Sequence, residues 1–354
     1  PPQRVKVLVA FAHQPGPAEQ ALVCRAGGTI KHTYHLVPAI AATLPEHAVS
    51  ALQANPHVLR VEPDLVGRAI DVELDNAWGV TRIGAGQVHA ASNQGDGVGI
   101  AIVDSGINYH HPDLQANYAG GANFVEPEGD PIDVYGQGTH VAGNACAADN
   151  DNGVVDPKLG VVGVAPSCAL YSLRVLDDNG FGYASDTIAA MEWAVDNQNI
   201  HVANLSLGWD PDPGATFQAA FDNAWDAGLV IVAAAGNSGN PSGRGDKVTH
   251  PAKYESVIAV AATDADDNRA TFSSPGDQVE LAAPGEAVYS TWNDDTGYYD
   301  PQPVCDDDAN QEFGCYKYGS GTSMATPHVA GTAALIIASS TVSETAGEGR
   351  QVIT

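Results

Sequence analysis

Basic side chains are what this sequence has least of. Only 15 Lys and Arg stand against 43 Asp and Glu, a net charge of −28 over 354 residues. The acids are an ordinary fraction of the chain; the bases are missing. Such a chain suits neither a phosphate backbone nor an anionic lipid surface, so the composition speaks against nucleic-acid and membrane partners, while cation binding is compatible. Long apolar runs are absent too: the longest, at 333–338, falls far short of the ~18–20 residues of a membrane span. There is no internal repeat and no low-complexity tract. The five cysteines form no CxxC pair and no Cys/His spacing for structural zinc. An HExxH zinc-peptidase helix is lacking. Gly95, Gly97 and Gly99 precede the first strand of the larger module, whereas a dinucleotide fingerprint must follow one.

What is present divides in two. Residues 1–72 carry six basic and five acidic residues, so nearly all the negative charge belongs to the remainder. In the first part, 4–11 alternates as a strand, 17–26 reads as a helix, and 28–35 and 38–44 as strands. A second helix opens at Pro45, and 57–62 closes the set. The order β-α-β-β-α-β is that of a small ferredoxin-like α+β domain. From Trp78 strands and helices alternate: strands at 97–103, 169–176, 202–205, 229–234 and 257–261, helices at 139–148, 184–197 and 214–227. That pattern predicts an α/β fold with a mostly parallel sheet sandwiched by helices. Cys305 and Cys315 share one Asp-rich loop and are expected to bridge each other, with Cys146 and Cys168 as a second pair and Cys24 free. Paired cysteines point to an oxidising, extracytoplasmic compartment.

The stretch 319–338, GSGTSMATPHVAGTAALIIA, places a hydroxyl, Ser323, before a nearly unbroken apolar run with small residues suited to a tightly packed buried helix. A serine at a helix N-terminus meets free N–H groups and a dipole that favours negative charge; alone it reads as the cap of a core helix, and the rest of the chain overturns that reading. Three further segments accompany it: Asp104 ends the apolar strand IAIVDSG, His140 lies in GQGTHVAG, and Asn237 follows a buried strand in AAAGNSG. Together they supply the parts for acyl transfer. Ser323 is the candidate nucleophile and His140 the base, Asp104 orients the imidazole, and Asn237 donates to the oxyanion.

The order Asp, His, Ser and the segments IAIVDSGINYHHPDL, GQGTHVAG, NLSLG, AAAGNSG and GTSMATPHVAG resemble the subtilisin family, over nearly everything from Trp78 to Ala338. TLPEHAVSALQANPHVLRVEPD resembles the second half of that family's propeptide. The resemblance implies a secreted, monomeric, self-processing serine endopeptidase acting on peptides through an acyl-enzyme. Residues 1–72 would be its inhibitory propeptide and 73–354 its catalytic domain, with self-cleavage between residues 70 and 73. It implies a substrate-pairing segment at Ser206, Leu207 and Gly208, an opposite one at Gly180, Phe181 and Gly182, and Thr249 at the pocket floor, favouring neutral apolar or aromatic side chains. It also implies structural calcium, held by Asp113 and by the loop containing Asp149, Asp151 and Asp156, with a second site at the backbone of Ala252, Tyr254 and Val257. The trio Asp306, Asp307 and Asp308 reads as a solvated acidic loop. A non-catalytic protease-fold binding protein, its first domain held in the cleft, is the alternative. The chain opens at Pro1, read as a targeting segment removed or left out, and only 31 residues follow Ser323, read as a short C-terminal end.

Overall fold

The structure, a computed structural model, describes residues 3–64, 72–150, 160–293, 304–305 and 314–339. It divides into two units, residues 1–70 and 71–354. In the first, β1 (Arg4–Phe11) is followed by α1 (Pro17–Arg25), β2 (Thr29–Thr33), β3 (Ala39–Pro45), α2 (Glu46–Gln53) and β4 (Val58–Pro63). The four strands pair antiparallel in the order β2-β3-β1-β4, with Val9 opposite Ile40 and Val61. Alternate residues Val7, Val9 and Phe11 turn inward onto Val23 of α1 and Leu52 of α2, which is why this strand reads with period two. Pro17 opens α1 where no N–H is needed, and the Glu19 carboxylate accepts from Gly16 N at 2.8 Å.

The second unit begins with three short helices, α3 (Val72–Asn76), α4 (Trp78–Arg82) and α5 (Ala85–Ala90). Then follow β5 (Gly99–Asp104), α6 (Pro112–Gln115), β6 (Tyr118–Asn123), α7 (Gln137–Cys146), β7 (Ala169–Arg174), α8 (Ala184–Asp196), β8 (Ile200–Leu205), α9 (Ala215–Asp226), β9 (Val230–Ala234), β10 (Ile258–Thr263) and β11 (Val279–Pro284). A small antiparallel sheet of β12 (Val288–Trp292), β13 (Val304–Cys305) and β14 (Cys315–Gly319) leads into α10 (Thr322–Ala338). Among the described residues the main sheet has seven parallel strands in the order β11-β10-β9-β8-β5-β7-β6. Both of its faces are covered. Ile100 and Ile102 of β5 face α7 and α10, while Ala101 and Val103 face α8 and α9, where Met191, Phe217 and Phe221 are buried. A strand buried on both faces reads as one apolar run, as the sequence has it.

The order of strands positions the site. After β5 the chain builds β6 and β7 on one side, then crosses to place β8 on the other. The carboxyl ends of β5 and β8 thus flank a switch point, where open parallel sheets leave a crevice. Asp104 ends one strand and Ser206 follows the other. Both expected disulfides are present, Cys146–Cys168 and Cys305–Cys315, and Cys24 is free and exposed. No helix among the described residues is long and apolar enough to cross a membrane.

Candidate active site

Asp104 is fully buried at the end of β5. One of its oxygens accepts from Ser105 N at 2.8 Å, and both accept from Gln137 Nε2, at 3.1 and 3.0 Å. Burial pushes its pKa up to about 7, the Gln137 and Ser105 hydrogen bonds oppose the rise, and the nearby Asp133 charge adds to it. Gln137 is the first residue of α7. It can reach Asp104 because the helix start lies hard against the loop after β5: a Cβ on Gly138 would sit 2.0 Å from Gly106 O. Gly136, just before the helix, has φ +104°, a turn that only glycine makes without strain. Asp133 fixes the approach. Its buried carboxylate accepts from Ser105 Oγ, Gly136 N, Thr139 N and Thr139 Oγ1 at 2.6–2.9 Å.

Ser323 is the second residue of α10, half-exposed, and its hydroxyl donates to Ser206 O at 3.0 Å. The same carbonyl accepts from Gln137 Nε2 at 2.9 Å. Ser206 Oγ returns a bond to Ser323 O at 2.8 Å. Pro327 explains that second bond. It stands four residues after Ser323, well inside the helix rather than in the first turn, and has no N–H to give the Ser323 carbonyl. Ser206 satisfies the orphaned acceptor and ties the start of α10 to β8. Asn237, in the loop after β9, accepts from Thr322 N at 2.9 Å and Thr322 Oγ1 at 3.0 Å through Oδ1. Its Nδ2 therefore faces the Gly321–Ser323 turn, where a Cβ on Gly321 would lie 3.3 Å from it. An amide donor and the first N–H groups of a helix converge there, an arrangement suited to an oxyanion.

His140 is not part of this arrangement, which corrects the expectation that it serves as base. It is fully buried in α7, three residues past Gln137, and points to the small sheet instead. Its Nε2 donates to Lys317 O at 3.0 Å and Val288 O at 3.2 Å, and Nδ1 accepts from Asn144 Nδ2 at 3.3 Å. Both ring nitrogens are used. Burial lowers its pKa to about 4, so it is a neutral imidazole joining α7 to β12 and β14. The side chain between the Asp104 carboxylate and the Ser206 carbonyl that Ser323 also uses is Gln137. Reading the motif by its histidine picks the wrong turn of helix. Asp104 ends a strand, and the side chain that meets it is the one at which α7 begins, one turn before the histidine.

The other expected residues fall as follows. Ser206 is buried within the site, and Leu207 and Gly208 continue from it. Thr249 lies in the crease between Gly208 and Gly236, against which Cβ atoms would meet it at 2.4 and 3.0 Å. Phe181 turns its backbone inward: its N–H donates to Asp177 Oδ1 and its carbonyl accepts from Asp177 N. Those two groups are engaged within the loop, so the 75% exposed ring is what Phe181 offers outward, between Gly180 and Gly182. Among the metal candidates, Asp113 is fully buried and accepts from Tyr316 Oη at 2.9 Å, Val161 N at 3.2 Å and Asn150 Nδ2 at 3.4 Å. Asn150 N also donates to Glu73 Oε2 at 3.2 Å, which brings a second buried carboxylate to this corner. Glu73 was missed because nothing in the sequence ties α3 to the Asp149 loop. Asp149 is exposed; Asp151, Asp156, Asp306, Asp307, Asp308 and the expected cleavage segment before Val72 lie outside the described residues. Ala252 and Val257 are buried, and the Tyr254 carbonyl already accepts from Val257 N at 3.1 Å. Among the described residues no three His, Cys, Asp or Glu side chains gather as a metal site.

Residues 95–353 match the subtilase family and residues 14–68 match the peptidase inhibitor I9 family. Subtilisin E of Bacillus subtilis (strain 168) is 40% identical over 317 residues, covering 89% of this chain and 74% of that protein. Subtilisin J of Geobacillus stearothermophilus matches to the same extent. An alkaline protease of Shouchella clausii is 39% identical over 305 residues, covering 86% of this chain and 70% of its own length.

Proposed function

Because the chain belongs to the subtilase family of serine endopeptidases, we propose that it takes hold of extended peptides and that Ser323 is the residue whose oxygen meets the scissile carbonyl. The observation that carries this is the linked set Asp104, Gln137, Ser206 and Ser323, with the Asn237 amide on the other side of the hydroxyl. Ser206 to Gly208 and Gly180 to Gly182 flank the peptide, and Thr249 closes a pocket for a neutral apolar side chain. In acyl transfer the Ser323 oxygen bonds to the carbonyl carbon, the C–N bond breaks, and water later releases the acyl group. The Ser323 proton must leave and a proton must reach the departing amine. Asn237 Nδ2 and the helix N–H groups stabilise the oxyanion between these steps. Residues 1–72 act as the propeptide inhibitor, the bond that self-processing would cut falls between residues 70 and 73, and the protein works outside the cell as a monomer.

A peptide p-nitrophenyl ester, whose leaving group needs no proton, reads this chemistry directly. The full chain is expected to release nitrophenol and carry a transient acyl mass on Ser323. Asn237→Ala lowers the rate by two to three orders of magnitude, about 3–4 kcal/mol in the barrier, which is the size of the loss when a subtilisin is stripped of its oxyanion-hole amide. Ester hydrolysis that persists unchanged in Ser323→Ala would remove Ser323 from this role.

Calcium is proposed as the structural cation on donor chemistry: Asp113 and Glu73 are hard oxygen ligands, buried and bridged by one residue, Asn150. Asp149, Asp151 and Asp156 supply further oxygens from the same loop, and the backbone of Ala252, Tyr254 and Val257 a second, weaker site. Bound calcium neutralises the paired carboxylates. Calcium at a hundredfold excess over its Kd is expected to stabilise the fold by about 3 kcal/mol, seen as a rise in Tm that chelation reverses. Glu73→Gln and Asp113→Asn should each shrink the calcium-dependent part of Tm. A Tm indifferent to calcium in the unsubstituted chain would count against the site.

A further inference from the structure

We infer that Gln137 occupies the place of the general base, so that this chain holds peptide substrates at Ser323 without an activated nucleophile. The inference deepens the peptidase reading and rests on it. A base for Ser323 must touch the Asp104 carboxylate on one side and stand beside the serine hydroxyl on the other. Gln137 Nε2 does this: it donates to both Asp104 oxygens and to Ser206 O, the carbonyl that also accepts the Ser323 hydroxyl. A carboxamide offers two N–H donors and a carbonyl acceptor, and no basic nitrogen. Here the NH2 group faces the carboxylate and the carbonyl, so it stabilises the ground state of the site and cannot receive a proton. No other group replaces it among the described residues. His140 uses both ring nitrogens on Lys317, Val288 and Asn144. His328 is buried, with Nδ1 on Met324 O and Nε2 against Gly79. His250 lies beside Asp212 and Tyr254.

The remaining route is specific base catalysis. Hydroxide takes the Ser323 proton to form water, the Oγ–C bond forms, the C–N or C–O bond breaks, and an amine leaving group takes its proton from water. Its rate rises with hydroxide concentration, tenfold per pH unit. At neutral pH binding therefore far outruns turnover, and the protein behaves as a receptor for extended peptides.

The test is the pH profile of p-nitrophenyl ester hydrolysis by the full chain, by Gln137→His and by Gln137→Ala, each measured beside a matched control that also carries Ser323→Ala. The unsubstituted chain is expected to give a log(kcat/KM) that climbs with a slope near one from pH 6 to 10 and never levels. Gln137→His introduces the missing imidazole, with a rate at pH 7.5 about a thousandfold higher or more and a plateau above the imidazole pKa. Gln137→Ala should likewise climb with a slope near one and show no plateau, since neither chain has a base. A plateau near neutral pH in the unsubstituted chain overturns the inference, as does a hundredfold loss in Gln137→Ala with unchanged Tm. Either result leaves Ser323 chemistry standing. Hydrolysis independent of Ser323 in all three chains sinks the peptidase reading instead.

Discussion

Adding Asp104→Asn to the Gln137→His chain is expected to lower kcat by about ten thousandfold, while the same substitution in the unsubstituted chain raises its stability in alkaline solution. The first effect follows from what an imidazole at position 137 needs. The Asp104 oxygens now accept two bonds from the glutamine amide, at 3.0 and 3.1 Å. They would accept the N–H of an imidazole in the same place, fixing its tautomer so that the other nitrogen faces Ser323, and would stabilise the imidazolium. An amide in place of the carboxylate presents a donor to one of those positions, and the wrong tautomer follows. In serine proteases that exchange costs about four orders of magnitude.

The second effect has the opposite sign and a separate cause. Among the described residues Asp104 has no cation beside it in the unsubstituted chain, and burial raises its pKa to about 7. Its folded pKa thus lies above its unfolded one, near 3.9. The folded state keeps a proton that the unfolded state sheds, so this group's contribution is whole below pH 4 and is lost as pH rises toward 7. Above that, the buried charge costs on the order of 4 kcal/mol. Asp104→Asn removes the charge and keeps one acceptor for Gln137. Its Tm should exceed that of the unsubstituted chain at pH 8.5 and converge on it at pH 4. A Tm difference that does not change with pH would show that Asp104 is not the titrating group.

The sheet was legible because its strands are buried on both faces and its helices on one: 169–174, 200–205 and 230–234 are apolar runs bounded by glycine, proline or polar turns. Strands β6 and β14 were not, since the glycine-rich YAGGAN and the tyrosine-bearing CYKYG alternate weakly and take their conformation from neighbours. Asp104, Asn237 and Ser323 could be read because Asp104 ends a strand, Asn237 closely follows one and Ser323 lies in the first turn of a helix. The base could not be read correctly, for a physical reason. In a helix three residues are nearly a full turn, so Gln137 and His140 lie near each other on the cylinder but one turn apart along it. Histidine carries the chemical prior, and only the depth at which α7 meets β5 decides which of the two side chains reaches Asp104. The Glu73–Asn150–Asp113 corner was invisible for a simpler reason: α3 and the Asp149 loop are 77 residues apart in sequence where Asn150 meets Glu73.

Asp133→Ala is expected to destabilise the second unit by about 3–5 kcal/mol, the cost of stranding two or three buried donors, although it too removes a buried charge. The difference from Asp104 lies in the number of donors left behind. The Asp133 carboxylate accepts four hydrogen bonds, from Ser105 Oγ, Gly136 N, Thr139 N and Thr139 Oγ1, and three of these donors belong to the turn that starts α7. Burial raises its pKa, and those same bonds oppose the rise. Losing the charge returns a desolvation cost, but stranding two backbone N–H groups and two hydroxyls in the interior costs about 1–3 kcal/mol for each group that finds no new partner. Removing one side of a buried polar cluster is accordingly among the most damaging single changes. Denaturant unfolding should show the loss, and Asp133→Asn, which keeps one accepting oxygen, should fall between the two chains. The Gln137→His chain offers a second reading of the same contact. With Asp133→Ala added, α7 loses the anchor that sets its first turn against Gly106, and kcat should fall by at least tenfold at a temperature where the protein is still folded. A stability change under about 1 kcal/mol would mean that water replaces the carboxylate in full, and the placement of residue 137 would then rest on the Gly138–Gly106 contact alone.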